Sequence, residues 1–305
     1  MANLIFKIKR RIFQKILFFK PLSYWQKYGI NVTRNNYYSN IPDLNTLSES
    51  AFTRKSDLIG IDINEAEQIA LFKFFASKYK TEYDAWPVKS ENYFDFNISQ
   101  TSFRSVDSQI LHCMIRHFKP AQVIEVGSGY STMITAKALL YNEKENSKSF
   151  NFTAIEPYPN ENLKKGIPGL TSIIDKFIQD VDLSVFNKLK ENDVLFLDST
   201  HTVKIDGDVN YEILELLPRL NKGVIVHIHD IFFPYEYPES WIRSGERIWL
   251  EQYLLQAFLC NNNSYKILWM SHYMHKDHSD LLKENLKYYE VGVPFKGSIW
   301  IQKIV

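Results

Sequence analysis

The stretch VIEVGSGYSTMITAKALL, Val123 to Leu140, decides the fold. An apolar run ends around an acid, two glycines follow one residue apart, and the pattern then becomes helical. A strand that bends sharply into a helix, with a ligand against the bend, reads this way. Gly127 permits the tight turn, and Gly129 lets the backbone approach a ligand with no side chain between them. In an open parallel sheet, ligands bind beyond the carboxyl ends of the strands. The bend is therefore predicted to border a binding site.

Downstream the pattern repeats. The apolar runs QVIEVGS, FTAIEP, TSIIDKF, DVLFLDS and GVIVHIHD read as strands, separated by the helical stretches YSTMITAKALLY, NENLKKG, DLSVFNKLK and DVNYEILELLPRL. Continuous apolar strands alternating with helices signal a parallel sheet covered on both faces. A long helical segment, SWIRSGERIWLEQYLLQAFL, precedes two further strands, YKILWMSHYM and SIWIQK. The expected fold is α/β: a Rossmann-like, seven-stranded, mostly parallel sheet with helices on both faces, after an N-terminal helical and extended extension. The expected division is an extension over 1–100 and the α/β domain over 101–305. The extension comprises a basic amphipathic helix, the Asn- and Ser-rich arm NVTRNNYYSNIPDLNTLSES, and a helix INEAEQIALFKFFASKY with Asn64 as its candidate cap. A second helix, SVDSQILHCMIRHF, has Asp107 in its first turn.

The charge is unevenly spread. Met1 to Asn40 carries eight Lys or Arg and no acid, which leaves 28 basic against 35 acidic residues elsewhere. An acidic body is no general polyanion binder, so nucleic acid is excluded as a partner. In LIFKIKRRIFQKILFFKPLSYWQKYG, Ile5, Ile8, Ile12, Ile16 and Phe19 share one helical face. The longest apolar run there, Ile16 to Phe19, is too short for a membrane span or a signal-peptide core. Two readings stand: a helix docked on the body or on a partner subunit of a homo-oligomer, or peripheral contact of residues 4–20 with an anionic membrane surface. Cys113 and Cys260 read as free thiols in amphipathic helices, which fits a reducing cytoplasm, with the inner membrane surface as the alternative location.

The bend itself discriminates among cofactors. A dinucleotide fingerprint would continue to a third glycine, where this sequence has Thr132, and no GK[ST] element offers a triphosphate site. Glu125, two residues before the first glycine, would repel phosphates and suit the ammonium and sulfonium of S-adenosylmethionine. Ser128, Tyr130 and Ser131 complete the loop. Glu156, ending the second strand, can accept from both ribose hydroxyls or cap the following turn. Asp180 after the third strand can meet the adenine amino group or cap a helix, as can Asp182.

These motifs resemble the class I S-adenosylmethionine-dependent methyltransferases. VIEVGSGYS is similar to their first motif, AIEPYP to the second-strand acid, and DVLFLDSTH to the fourth-strand motif. The likeness runs from about Asp107 onward. It is strongest to a bacterial subgroup with YYSNIPDL before the domain and HIHDIFFPYEYP after its fifth strand. It implies a methyl transfer, for which a small-molecule or glycan hydroxyl is the expected acceptor and an amine is left open.

Methyl transfer needs the acceptor held in line and relieved of its proton. Candidates at the exits of the fourth and fifth strands are Asp198 and His201 in FLDSTH, then His229 and Asp230 in VHIHD. A neutral imidazole suits the role of base, which falls to His201 or His229. His227 lies inside a strand and reads as core, with Asp230 expected on the opposite face. Asp198 and Asp230 also resemble two ligands of a divalent cation, magnesium or manganese, in catechol-type O-methyltransferases. The third ligand there is usually Asn, where this chain has Ile231. The aromatic loop IFFPYEYPESW offers Phe233, Tyr235 and Tyr237 as an acceptor wall. An NAD-dependent oxidoreductase and a scaffold without chemistry are the alternatives to methyl transfer.

Overall fold

The computed structural model describes residues 2–92, 94–100, 102–245, 247–293 and 296–305, and the side chains of residues 2–4 and 6 lie outside that description. Five strands follow the apolar runs: β1 Gln122–Val126, β2 Asn151–Ile155, β3 Ser172–Ile174, β4 Val194–Leu197 and β5 Ile225–His229. β6 Tyr265–Met270 and β7 Ser298–Lys303 complete a sheet of order β3-β2-β1-β4-β5-β7-β6. The first five pair in parallel, and β7 runs antiparallel to both neighbours. The sheet is the one expected. The chain order reverses beside β1, between β2 and β4, so the carboxyl ends of β1 and β4 open a crevice there.

β4 and β5 are buried along their whole length, as apolar strands covered on both faces must be. The helices Asp107–Phe118 and Tyr130–Asn146 cover one side near β1 and supply Ile110, Met114, Ile134 and Leu139 to the core.

Three expectations change. The helical segment expected over Ser240–Leu259 is two short helices, Glu239–Arg243 and Glu251–Leu259. Gly245 adopts φ +74 between them, a left-handed conformation that ends a helix at little cost; Glu246 lies outside the described residues. The predicted strand YKILWMSHYM stops at Met270, and Ser271–Asp277 is helical. The division of the chain falls at 48 rather than 100: one compact unit is Met1–Ser48 and the other is Glu49–Val305. The helix Glu65–Asp84 belongs to the second unit because Phe72, Phe75, Tyr79 and Tyr83 are buried in its core. Asn64 does precede this helix, with its carbonyl accepting from Glu67 and Gln68, although its side chain caps nothing.

In the first unit, Ala2–Leu17 is one helix. Among the described residues no helix is long and apolar enough to cross a membrane. Cys113 is a buried free thiol in the helix Asp107–Phe118, and Cys260 an exposed one just past Leu259.

Candidate functional site

A cavity of about 980 Å³ opens at the carboxyl ends of β1, β4 and β5. Its walls include Gly127, Ser128, Gly129, Tyr130 and Ser131 from the bend, Glu156 after β2, Asp198 after β4, and His229 and Asp230 at the end of β5. The two glycines do different work. Gly127 has φ +81, and a Cβ there would lie 2.1 Å from the Asp198 carbonyl oxygen, so only glycine fits between the exits of β1 and β4. A Cβ on Gly129 would meet no protein atom within 4 Å, although the residue walls the cavity. Its bare backbone faces the cavity.

Thr132, in the place of a third glycine, is fully buried, and its Oγ1 accepts from the Gly129 amide at 3.0 Å. That amide is thereby withdrawn from any phosphate. Glu156 caps the turn, as one of its two expected roles requires: Oε2 accepts from the Ser128 amide at 3.1 Å and Oε1 from the Tyr158 amide at 2.9 Å, and the carboxylate still borders the cavity.

Glu125 overturns an expectation. Its side chain is fully buried inside β1 and is absent from the cavity wall. Burial pushes its carboxyl up to about 8, against hydrogen bonds from Ser131 and Thr132 that favour the ion. The Ser131 hydroxyl donates to Oε1 at 2.6 Å, and Oε2 has no partner. At neutral pH this group is mostly protonated, so it organises the bend rather than presenting an anion to it. Asp180 also falls away from the site: it is exposed in a single 3₁₀ turn, Ile178–Asp180, and takes no part in the cavity wall.

The exits of β4 and β5 carry the charge. Burial alone would raise the Asp198 carboxyl, but His229 and His201 outweigh it and hold it at about 2. His201 does not border the cavity. Its Nδ1 lies 2.8 Å from Glu251 Oε2, its Nε2 3.2 Å from Asp198 Oδ1 and 3.7 Å from Asp230 Oδ2, and its ring packs on Trp249 at 4.3 Å. Burial opposes a charge on this ring, yet the carboxylates raise it well above the ordinary value. An imidazole with both nitrogens engaged by carboxylates that hold its proton is no free base, which leaves His229 of the two candidates. His201 instead ties β4, β5 and the helix Glu251–Leu259 together.

His229 is the histidine that faces the cavity. Its ring stacks on Phe103 at 4.8 Å, Nδ1 has no partner, and Nε2 stands 3.8 Å from Asp230 Oδ1. Burial lowers its affinity for a proton, and Asp198, Asp230 and Asp107 more than restore it. Strand geometry does not persist past His229: Asp230 turns to φ 52 and enters the same cavity rather than the opposite face. Left-handed conformations at His201 and Asp230, both non-glycine, mark strain held at this corner. His227 is core, stacked on Phe196 at 4.1 Å with both ring nitrogens unpartnered, and burial keeps it neutral.

The proposed cation pair fails on its donors. The His201 imidazolium Nε2 already lies between Asp198 and Asp230, where a bridging cation would have to sit, and buried Ile231 supplies no third oxygen. Among the described residues no cluster of three or more His, Cys, Asp or Glu could hold a metal ion. The residues present do not fit magnesium or manganese.

Residues 124–231 match the family model described as "Methyltransferase domain". Over that stretch the chain is similar to the methyltransferase family. An uncharacterized protein of Archaeoglobus fulgidus is 29% identical to it over 201 residues, spanning 63% of this chain and 89% of that one. Among solved structures, the plantazolicin methyltransferase BamL, in complex with a triazolic desmethylPZN analog and SAH, is 14% identical, with a TM-score of 0.39 over 78% of this chain and 96% of its own. The plantazolicin methyltransferase BpumL in complex with SAH is 17% identical, with a TM-score of 0.36 over 80% and 98%. TM-scores this low carry no weight, and the strand order above rests on its own pairings.

The outer wall of the cavity was mislocated from sequence. Phe233 and Tyr237 are buried, the Tyr237 hydroxyl accepts from the Gln252 amide, and Tyr235 donates to Asp277; none borders the cavity. Trp241, Arg247 and Trp249 do. The Arg247 guanidinium lies 4.3 Å over the Trp241 ring and 5.4 Å from that of Trp249. The Ser244-Gly245 pair inside a helical pattern was the available signal, since it allows the chain to break and turn these side chains inward. Phe103, Arg104 and Asp107 also border the cavity. They precede β1 in sequence, and nothing local marks them.

Proposed function

We propose that this protein transfers a methyl group from S-adenosylmethionine to a hydroxyl of a small-molecule or glycan acceptor. The observation that carries the reading is the open backbone of Gly129, which faces a cavity with the Asp198 and Glu156 carboxylates on its wall. Those residues fit a cationic nucleoside: Glu156 for ribose hydroxyls, Asp198 for the positive charge in the place first given to Glu125, and the bend for close contact. Bound there, the cofactor supplies a sulfonium-activated methyl group. His229 takes the acceptor's hydroxyl proton on Nε2, with Asp230 3.8 Å away to stabilise the resulting imidazolium. Because the neighbouring carboxylates raise His229 above its ordinary value, turnover rises with pH until that ring loses its proton.

The acceptor side is aromatic and cationic. The Trp241 and Trp249 rings offer flat apolar faces to a sugar or a planar ring, and Arg247 and Arg104 offer charge-assisted bonds to a carboxylate or phosphate substituent. An oxidoreductase using NAD is disfavoured by Thr132, whose hydroxyl occupies the Gly129 amide that a pyrophosphate would need. The test is titration calorimetry with S-adenosylhomocysteine and NADH in parallel. Saturable binding of S-adenosylhomocysteine alone is expected, and binding of NADH alone overturns the proposal.

A further inference from the structure

The helix Ala2–Leu17 carries an exposed apolar face. Ile5, Ile8, Ile12, Phe13, Ile16 and Phe19 are between 50% and 79% exposed. At 100° per residue, the four isoleucines fall on one face, with Phe13 widening it. Lys7, Arg10 and Arg11 lie away from that face and Lys15 at its border, all exposed, as is Lys9 within the apolar sector. The flexible stem of Lys9 lets its ammonium leave that sector for water. The next turns add exposed Leu22 and Tyr28, and the Trp25 indole donates to the Leu17 carbonyl at 3.0 Å, holding the second helix Leu22–Gln26 to the end of the first.

We infer that this helix lies on an anionic lipid surface, with its isoleucine face among the acyl chains and its cations at the phosphates. Charge and apolarity are arranged for that occupant and for no simpler one. A nucleic acid would satisfy the cations and leave the isoleucines in water. A second copy of the helix would cover the isoleucines and bring two sets of five cations together. A lipid interface satisfies both faces, and the aromatic residues that follow sit well at headgroup depth. The single acid of the first 48 residues, Asp43, lies outside the helix. The inference is independent of the reaction proposed above.

Sedimentation of the full chain with phosphatidylcholine vesicles containing phosphatidylglycerol tests it, beside vesicles of phosphatidylcholine alone. Binding is expected to the anionic vesicles, released by high salt. Together, Lys7→Gln, Arg11→Gln and Lys15→Gln should lower partitioning on the order of a hundredfold, from about one kcal/mol per surface cation removed. Ile8→Ser with Ile12→Ser and Ile16→Ser should abolish it in low salt as well. All these positions are exposed, so an unchanged unfolding midpoint checks that the body stays folded. Failure of the intact chain to sediment with anionic vesicles overturns the inference. So does equal binding to neutral vesicles, or a dimer in ultracentrifugation that the isoleucine variant splits.

Discussion

Glu125 and Asp198 belong to neighbouring strands, β1 and β4, and stand in opposite protonation states. Glu125 lies within the paired length of β1, opposite Phe196, fully buried, with its carboxyl pushed up to about 8. Asp198 lies one residue beyond β4, with 31% of its side chain open, and two histidines hold it at about 2. Two or three residues along a strand separate a neutral structural acid from an anion at the cavity wall. The functional electrostatics of this fold belong to the edge of the sheet, where side chains reach solvent and one another. Inside the sheet, desolvation sets the charge instead.

Removing the cation at that edge should have the largest effect. His201→Gln leaves Asp198, Asp230 and Glu251 facing one another without their shared proton donor, and a loss of about 3–5 kcal/mol in denaturant unfolding is expected, as when one partner of a buried pair is deleted. Wild-type stability would break the view that His201 braces the edge. The two glycines come next. Gly127→Ala forces a Cβ onto the Asp198 carbonyl in a left-handed conformation and should cost about 3 kcal/mol. Gly129→Ala meets no protein atom, so its unfolding midpoint should hold while affinity for S-adenosylhomocysteine falls about tenfold, ~1.4 kcal/mol. A stability loss equal to that of Gly127→Ala would mean that Gly129 faces protein and not ligand.

His229→Gln should lower kcat by about 10²-fold with little change in stability, the ordinary cost of losing a positioned base, and should flatten the rise of rate with pH. Unaltered kcat would remove the base from the mechanism. The smallest effect sharpens the opening contrast. Asp198→Asn should weaken S-adenosylhomocysteine binding about tenfold, ~1.4 kcal/mol, whereas Glu125→Gln, replacing a mostly protonated acid, should leave it within about twofold. The folded Glu125 carboxyl titrates near 8 against an ordinary 4.5. Its proton is therefore kept on folding, and that contribution to stability is present below pH 4.5 and lost as pH climbs toward 8. Glu125→Gln should make stability flatter across this window in urea titrations at several pH values.

The sheet was legible because its strands are apolar runs with no competing period, and because the residues around Gly127 admit one backbone path. The long helix expected over Ser240–Leu259 was misread because a single Gly245 outweighed the surrounding apolar period, and that break set Trp241 and Trp249 at the cavity. The choice between His201 and His229 could not be made along the chain. Both sit at strand exits, and what separates them is Glu251, 50 residues downstream of His201 and 2.8 Å from its ring.

Sequence by itself determined the strand order's raw material, the glycine bend, the acid after β2, and a cationic amphipathic helix ahead of the body, because each is written in local period and backbone permission. Tertiary structure decided which carboxylates are charged, which histidine is free, and which aromatics wall the cavity. Those properties depend on burial and on partners distant in the chain, and proton affinity follows the field of neighbours rather than the identity of the residue.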